Sequence, residues 1–136
     1  MMQVTHVATG ALAGKLMPNP ILAILAGVLT HFIVDKIPHY WPATKKGKVI
    51  FVTIDYLVAF LGLVWLIYTG KMFGNMIYGV LGSVIVDIVI IGVPVIFRSP
   101  LGKWHTNRQL HSTRKEIIAM DMIAITLGLF VVLAVI

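Results

Sequence analysis

Residues 49–69 read VIFVTIDYLVAFLGLVWLIYT, an unbroken apolar run in which Asp55 is the only charged side chain. A helix crossing the hydrocarbon core of a bilayer needs about 20 residues of this kind at about 1.5 Å each, and this stretch meets that length. Working outward, residues 21–37, 76–97 and 117–136 form similar runs, and residues 4–17 form a shorter one that carries Lys15. The expected fold is therefore all-α: a polytopic membrane helical bundle of four to five transmembrane helices, the first short or re-entrant. No linker or composition shift divides residues 1–136, which read as one integral-membrane domain.

Composition agrees. The 136 residues are 59% hydrophobic and 12% charged, with no cysteine. Soluble domains average about 25% charged residues, so an ordinary soluble enzyme is excluded. A disulfide scaffold, a cysteine zinc finger and a cysteine nucleophile go with it. The apolar content excludes a disordered tail. The balance of 11 Lys+Arg against 5 Asp+Glu raises nucleic acid as a partner. That reading needs a basic, polar, folded face, whereas these cations fall in short loops between apolar runs. They suit membrane orientation and anionic lipid headgroups, and no nucleic-acid partner is expected.

Prolines and glycines mark the limits of the runs. Pro18-Asn19-Pro20 must turn the chain, Pro38 and Pro42 stop the second run, and Gly70 and Gly74 bracket the third loop. The loop after the second run holds Lys45, Lys46 and Lys48; that after the fourth holds Arg98, Lys103, Arg108, Arg114 and Lys115. The positive-inside rule places both loops in the cytoplasm and the carboxyl terminus outside, in an inner (plasma) membrane. Tyr40, Trp41 and Trp104 would mark one interface, and Trp65, Tyr68 and Tyr78 the other. The first run lacks the basic start of a cleaved signal and contains His6 and Lys15.

Four of the five acids, Asp35, Asp55, Asp87 and Asp121, fall within the apolar runs. A lone carboxylate there costs roughly 2.5–3.5 kcal/mol on the insertion scale, so these must be protonated, paired or bound to a cation. His31 and Asp35 lie four apart, on one helix face. Ala23 and Gly27 continue that line; His6, Gly10 and Gly14 form a second line, and Gly79, Ser83 and Asp87 a third. Small residues beside ionisable ones let helices approach, which predicts that these faces converge on one pocket open to the cytoplasm. Mixed imidazole and carboxylate ligands suit Zn, Mn or Fe. The bland readings are a structural His31–Asp35 pair, Glu116 and Asp121 as helix-start acids, and Asp55 paired with Lys36 or Lys48.

Four short segments, residues 5–10, 30–35, 82–87 and 107–112, resemble a family of small bacterial inner-membrane metal-dependent hydrolases (YdjM-like, LexA-regulated). Thr5-His6-Val7-Ala8-Thr9-Gly10 is similar to its T-H-x-x-x-G opening, and Thr30-His31-Phe32-Ile33-Val34-Asp35 to its S-H-x-x-x-D helix. Gly82-Ser83-Val84-Ile85-Val86-Asp87 resembles its G-x-x-x-P-D segment, with Val86 in place of proline. Asn107-Arg108-Gln109-Leu110-His111-Ser112 resembles its H-R-x-x-T-H-S stretch, with Asn107 for the leading histidine. The resemblance implies a metal held by His6, His31, Asp35 and Asp87, with His111 and Asp87 as catalytic groups. Lys103 and Arg108 would hold an anionic headgroup of a lipid or lipid-linked substrate.

Other enzyme classes fail by absence: the sequence has no G-x-S-x-G elbow, P-loop or H-E-x-x-H. The alternative is a non-enzymatic membrane protein. Asp55, Asp87 and Asp121 would then relay protons or cations, or tie helices together as a partner-binding scaffold. Transporters are usually built from two repeats, which this chain would supply as a homo-oligomer.

Overall fold

The structure, a computed structural model, describes residues 3–37, 39–72, 74–92, 99–100, 103–104 and 111–112. Four helices make up nearly all of it: α1 (Gln3–Lys15), α2 (Pro20–Val34), α3 (Lys45–Tyr68) and α4 (Met76–Gly92). Two short strands, β1 (His39–Tyr40) and β2 (His111–Ser112), pair in parallel. Among the described residues the regular structure is all-helical apart from that pairing. The fifth apolar run lies outside the described residues.

Local chemistry sets the helix limits. Asn19 caps α2, its side chain accepting from Leu22 N–H at 2.9 Å, and Pro20 occupies the first turn, where a missing N–H costs nothing. Thr44 caps α3 in the same way, through Gly47 N–H at 3.1 Å. At the far end of α3, Gly70 takes φ 68°, a conformation that a side chain would oppose. Its N–H and that of Lys71 return to the carbonyls of Ile67 and Leu66 at 3.0 and 2.9 Å, the Schellman arrangement that satisfies the last orphan carbonyls.

The helices alternate in direction. Gly10 and Gly14 of α1 face, in descending order, Ser83 and Gly79 of α4 and Asn75 just before it, so α1 and α4 are antiparallel. Asn75 Nδ2 donates to the carbonyl of Met17 at 2.8 Å, fixing the end of α1 against the start of α4. Gln3 and Val4 meet Asp55 of α3, while Val4, Val7 and Ala8 share a cavity with Val58, Ala59, Gly62 and Leu66, so α1 and α3 run together. The start of α1 and the ends of α2 and α4 consequently share one end of the bundle with the lysine-bearing start of α3. The β1–β2 pairing brings the chain after α2 and the chain after α4 together at that end.

The short first helix proves to be the central element. It is buried along most of its length, packed by α2, α3 and α4. Close approach is possible because Gly79 has no side chain: a Cβ there would strike the carbonyl of Gly10 and, at 2.7 Å, the backbone of Gly14.

The burial pattern is inverted relative to a soluble domain. Gln3, Thr5, His6, His31, Asp35, Asp55, Ser83 and Asp87 are buried, while Leu25, Ile33, Phe60, Leu81 and Ile88 are each more than half exposed. Among the described residues one helix, α3, is long and apolar enough to cross a membrane; α2 and α4 are apolar but shorter. Only 17% of the α3 window is buried, which sets it apart from the core helix of a soluble protein.

These contacts predict opposite outcomes at two glycines. Gly79→Val should push α1 and α4 apart and cost about 1–3 kcal/mol or more. Gly62→Ala, where an added Cβ meets nothing within 4 Å, should stabilise by about 0.5–1 kcal/mol through helix propensity alone. Thermal unfolding of the purified variants, followed by circular dichroism, reads both.

Candidate metal centre

At the end of the bundle shared by the start of α1 and the ends of α2 and α4, side chains from those three helices meet. His6 and His31 are fully buried and stack face to face, with ring centroids 4.2 Å apart and planes 21° from parallel. Asp35 follows α2 as its C-cap residue and reaches both rings. Its Oδ1 is 3.3 Å from His6 Nε2 and its Oδ2 is 3.2 Å from His31 Nε2. Asp87 of α4 places Oδ1 3.8 Å from His31 Nε2. One ligand atom each from His6, His31 and Asp87 lie within 4.8 Å of one another, so this buried group can hold a metal ion.

The position of Asp35 runs against local helix electrostatics. A carboxylate at a helix C-terminus faces the negative end of the macrodipole. The two imidazoles across from it, one of them on another helix, supply the attraction that the helix itself does not.

Ser83 organises the two histidines. Its backbone carbonyl lies 2.7 Å from His31 Nδ1. A carbonyl only accepts, so Nδ1 carries the hydrogen and donates. His31 Nε2 is then either a lone pair or, in the doubly protonated ring, a second N–H. It lies 3.2 Å from Asp35 Oδ2 and 3.8 Å from Asp87 Oδ1, and a lone pair beside carboxylate oxygens is repulsive. The arrangement therefore calls for a positive charge among His31, Asp35 and Asp87, supplied by a proton or by a cation. A histidine that donates one ring N–H to a backbone carbonyl and leaves the other nitrogen available has the outer-shell geometry of a metal ligand. The Ser83 hydroxyl donates to the carbonyl of His6 at 2.7 Å, which ties α1 to α4 beside the ring it carries.

The donor set fits a divalent transition ion in a second respect. Ligand atoms about 2.0–2.2 Å from a tetrahedral zinc ion lie roughly 3.3–3.6 Å apart. The His–Asp separations of 3.2, 3.3 and 3.8 Å are of that order, the two shorter ones reached through different oxygens of Asp35. His6 Nδ1 is buried with no hydrogen-bond partner among the described residues.

A second polar group adjoins the first. Asp55 of α3 accepts from the backbone N–H groups of Gln3 and Val4, at 2.6 and 3.4 Å, and so caps α1 from a neighbouring helix. The sequence suggested Lys36 or Lys48 as its partner; the buried first turn of α1 takes the carboxylate instead, since its N–H groups have no acceptor within their own helix. Gln3, which the sequence reading passed over, donates from Nε2 to Asp87 Oδ2 at 2.5 Å. Its spacing of three from His6 was the available signal.

The structure thus brings His6, His31, Asp35 and Asp87 together. Lys103 is exposed on a helical turn with Trp104, whose ring meets Phe32 of α2 at 5.9 Å. Arg108, Asp121 and the side chain of His111 lie outside the described residues. Beside the polar centre, between α1 and α3, is an apolar cavity of about 280 Å³, bounded by Val4, Val7, Ala8, Val58, Leu61 and Leu66 among others. It flanks the His/Asp centre without opening onto its ligand atoms. No family model, curated protein or solved structure matches the chain.

The Asp55 contact generates a stability prediction. Asp55→Ala leaves buried N–H groups of α1 without their acceptor and should destabilise by about 1–3 kcal/mol. Denaturant unfolding of Asp55→Ala beside wild type measures it. Tyr56→Phe, the neighbouring exposed position, should shift stability by less than about 0.5 kcal/mol.

Proposed function

We propose that the chain is a multi-pass inner-membrane protein that holds a divalent transition metal, Zn, Mn or Fe, near the cytoplasmic face and hydrolyses a lipid or lipid-linked substrate there. The single observation that carries the metal reading is the imidazole of His31. It donates at 2.7 Å to a backbone carbonyl on one side and turns Nε2 toward two buried carboxylates on the other. His6, His31, Asp35 and Asp87 would be the ligands, the set that the resemblance to the YdjM-like hydrolases also implies. A divalent cation held by these residues would lower the pKa of a bound water and polarise an ester or phosphoryl oxygen.

The chain's own groups supply the rest. Asp35 and Asp87 keep the centre anionic, so that it selects a cation. His111 would serve as acid or base from the loop after α4. Lys103 and Arg108 would hold an anionic headgroup, joined by exposed Lys45 and Lys46 at the start of α3. Lys48 lies 5.8 Å above the Trp41 ring, and Trp41 and Tyr40 both pack on Phe51. Aromatic and cationic side chains grouped in this way suit a headgroup layer. The cavity between α1 and α3 offers apolar volume to a chain arriving from the side.

Membrane residence is supported by the exposed Leu, Ile, Val and Phe side chains on α2, α3 and α4, around an interior that holds the acids. In water such a surface is an aggregation liability; in lipid it is the solvated face. The pairing of β1 with β2 supports a reading in which both basic connections face the cytoplasm.

A second reading rests on the same His31 geometry, with a proton in place of the metal. The protein would then be a proton or cation conductor, or a scaffold whose buried ion pairs join its helices.

Elemental analysis separates the two. Wild-type protein purified without chelator should carry about one transition-metal ion per chain, and His31→Ala should lose at least about tenfold in metal affinity. Hydrolysis of a phospholipid panel should fall with Asp87→Asn. Metal-free wild-type protein, with a proton flux in liposomes that Asp87→Asn abolishes, would favour the second reading. Topology is tested separately, since the chain has no cysteine of its own. In intact cells an impermeant maleimide should label Gly74→Cys and spare Lys46→Cys.

A further inference from the structure

We propose that Gln3 is a positioning residue of the His/Asp centre: it fixes the Asp87 carboxylate so that one oxygen is held and the other faces the ligand cluster. This assignment rests on the metal reading above and adds to it a residue outside the ligand set.

Gln3 is 4% exposed, unusual for a glutamine. It is held at two points. Its backbone N–H donates to Asp55 Oδ2 at 2.6 Å, and its Nε2 donates to Asp87 Oδ2 at 2.5 Å. With Asp87 ionised, as the metal reading requires, the carboxylate only accepts and the amide nitrogen donates, which sets the orientation of the Gln3 amide. It also restrains rotation of the Asp87 carboxylate, leaving Oδ1 toward His31 Nε2. Ligating carboxylates are commonly held this way by an outer hydrogen bond.

The residue type matters. A lysine or arginine in the same place would neutralise Asp87 and compete with a bound cation. A neutral amide orients the carboxylate and leaves its charge available. The other end of the amide, Oε1, is buried with no hydrogen-bond partner among the described residues. That orphan atom carries a desolvation cost that a purely structural glutamine would not need to bear, and it leaves a spare acceptor in the interior beside Asp87.

Gln3 also accounts for α3, which supplies none of the four ligands. Asp55 of α3 fixes the Gln3 backbone, Gln3 fixes Asp87 of α4, and Asp87 faces His31 of α2. Gln3 and His6 lie one turn apart on α1, so the segment that provides one ligand also restrains another.

The test is a cobalt(II) titration of the purified, metal-free full-length chain, read from the visible d–d absorption. Gln3→Met keeps the length of the side chain and the N–H that Asp55 accepts, while removing the amide. It should bind cobalt about 10–100-fold more weakly, with a shifted d–d band. Its metal-free form should melt within about 4 °C of wild type. Gln3→Asn, too short to reach Asp87 yet still polar, should show the same loss and serves if the methionine variant does not fold. Wild-type cobalt affinity and an unchanged spectrum in a folded variant would overturn the role of Gln3 while leaving the metal site standing. Failure of wild type itself to bind cobalt would instead overturn the metal reading, and this proposal with it.

Discussion

The carbonyl oxygen of Ser83 can do one thing in a hydrogen bond, which is accept. Because His31 Nδ1 lies 2.7 Å from it, the tautomer of His31 follows, and with it the demand for positive charge between His31 Nε2 and the carboxylates of Asp35 and Asp87. That demand is severe because the groups are buried: the interior does not screen charge as water would. A bundle that gathers acids and imidazoles at its centre must also hold what neutralises them. The remaining features of this end of the molecule serve that condition.

Chief among them is the close approach of three helices. Side chains as short as aspartate and histidine reach one another from α1, α2 and α4 only because glycine and serine line the contacts behind them. Gly10 lies against Ser83 and Gly79, and Gly27 lies against Gly79 as well. The Ser83 hydroxyl and the Asn75 amide add hydrogen bonds between α4 and α1 or the turn that follows it, at separate levels of the bundle. The small residues are thus the geometric precondition of the polar centre, and their role is distance rather than chemistry. Asp55 plays a related part from α3, accepting from the buried N–H groups at the start of α1.

Much of this was legible in residue spacing. The line His6, Gly10, Gly14 and the line Gly79, Ser83, Asp87 repeat at intervals of four, so each puts its ionisable group on the face that its small residues open to a neighbour. Pro18-Asn19-Pro20 marked the turn before α2 because proline restricts the backbone locally; the capping roles of Asn19 and Thr44 came from the structure. The limits of α2 and α3 agree with the apolar runs to within about four residues. Gln3 was barely legible: its spacing of three from His6 was its one local signal, and its partners are 52 and 84 residues away. The partner assigned to Asp55 differed for the same reason. From sequence the nearest cations looked sufficient, whereas the buried start of a different helix supplied the donors.

By itself the sequence determined the helices, their apolar faces, the turns between them and the placing of basic residues in the connections. These follow from interactions within a few residues and from hydrophobic periodicity. Only the tertiary structure decided that the short first helix lies at the centre and that Asp35, rather than one histidine alone, bridges two rings. It also decided that α3 acts on the site through Gln3. Such facts depend on which helix faces which, a choice set by how closely glycine-lined backbones can pack and where buried charge can be compensated. No local pattern encodes it.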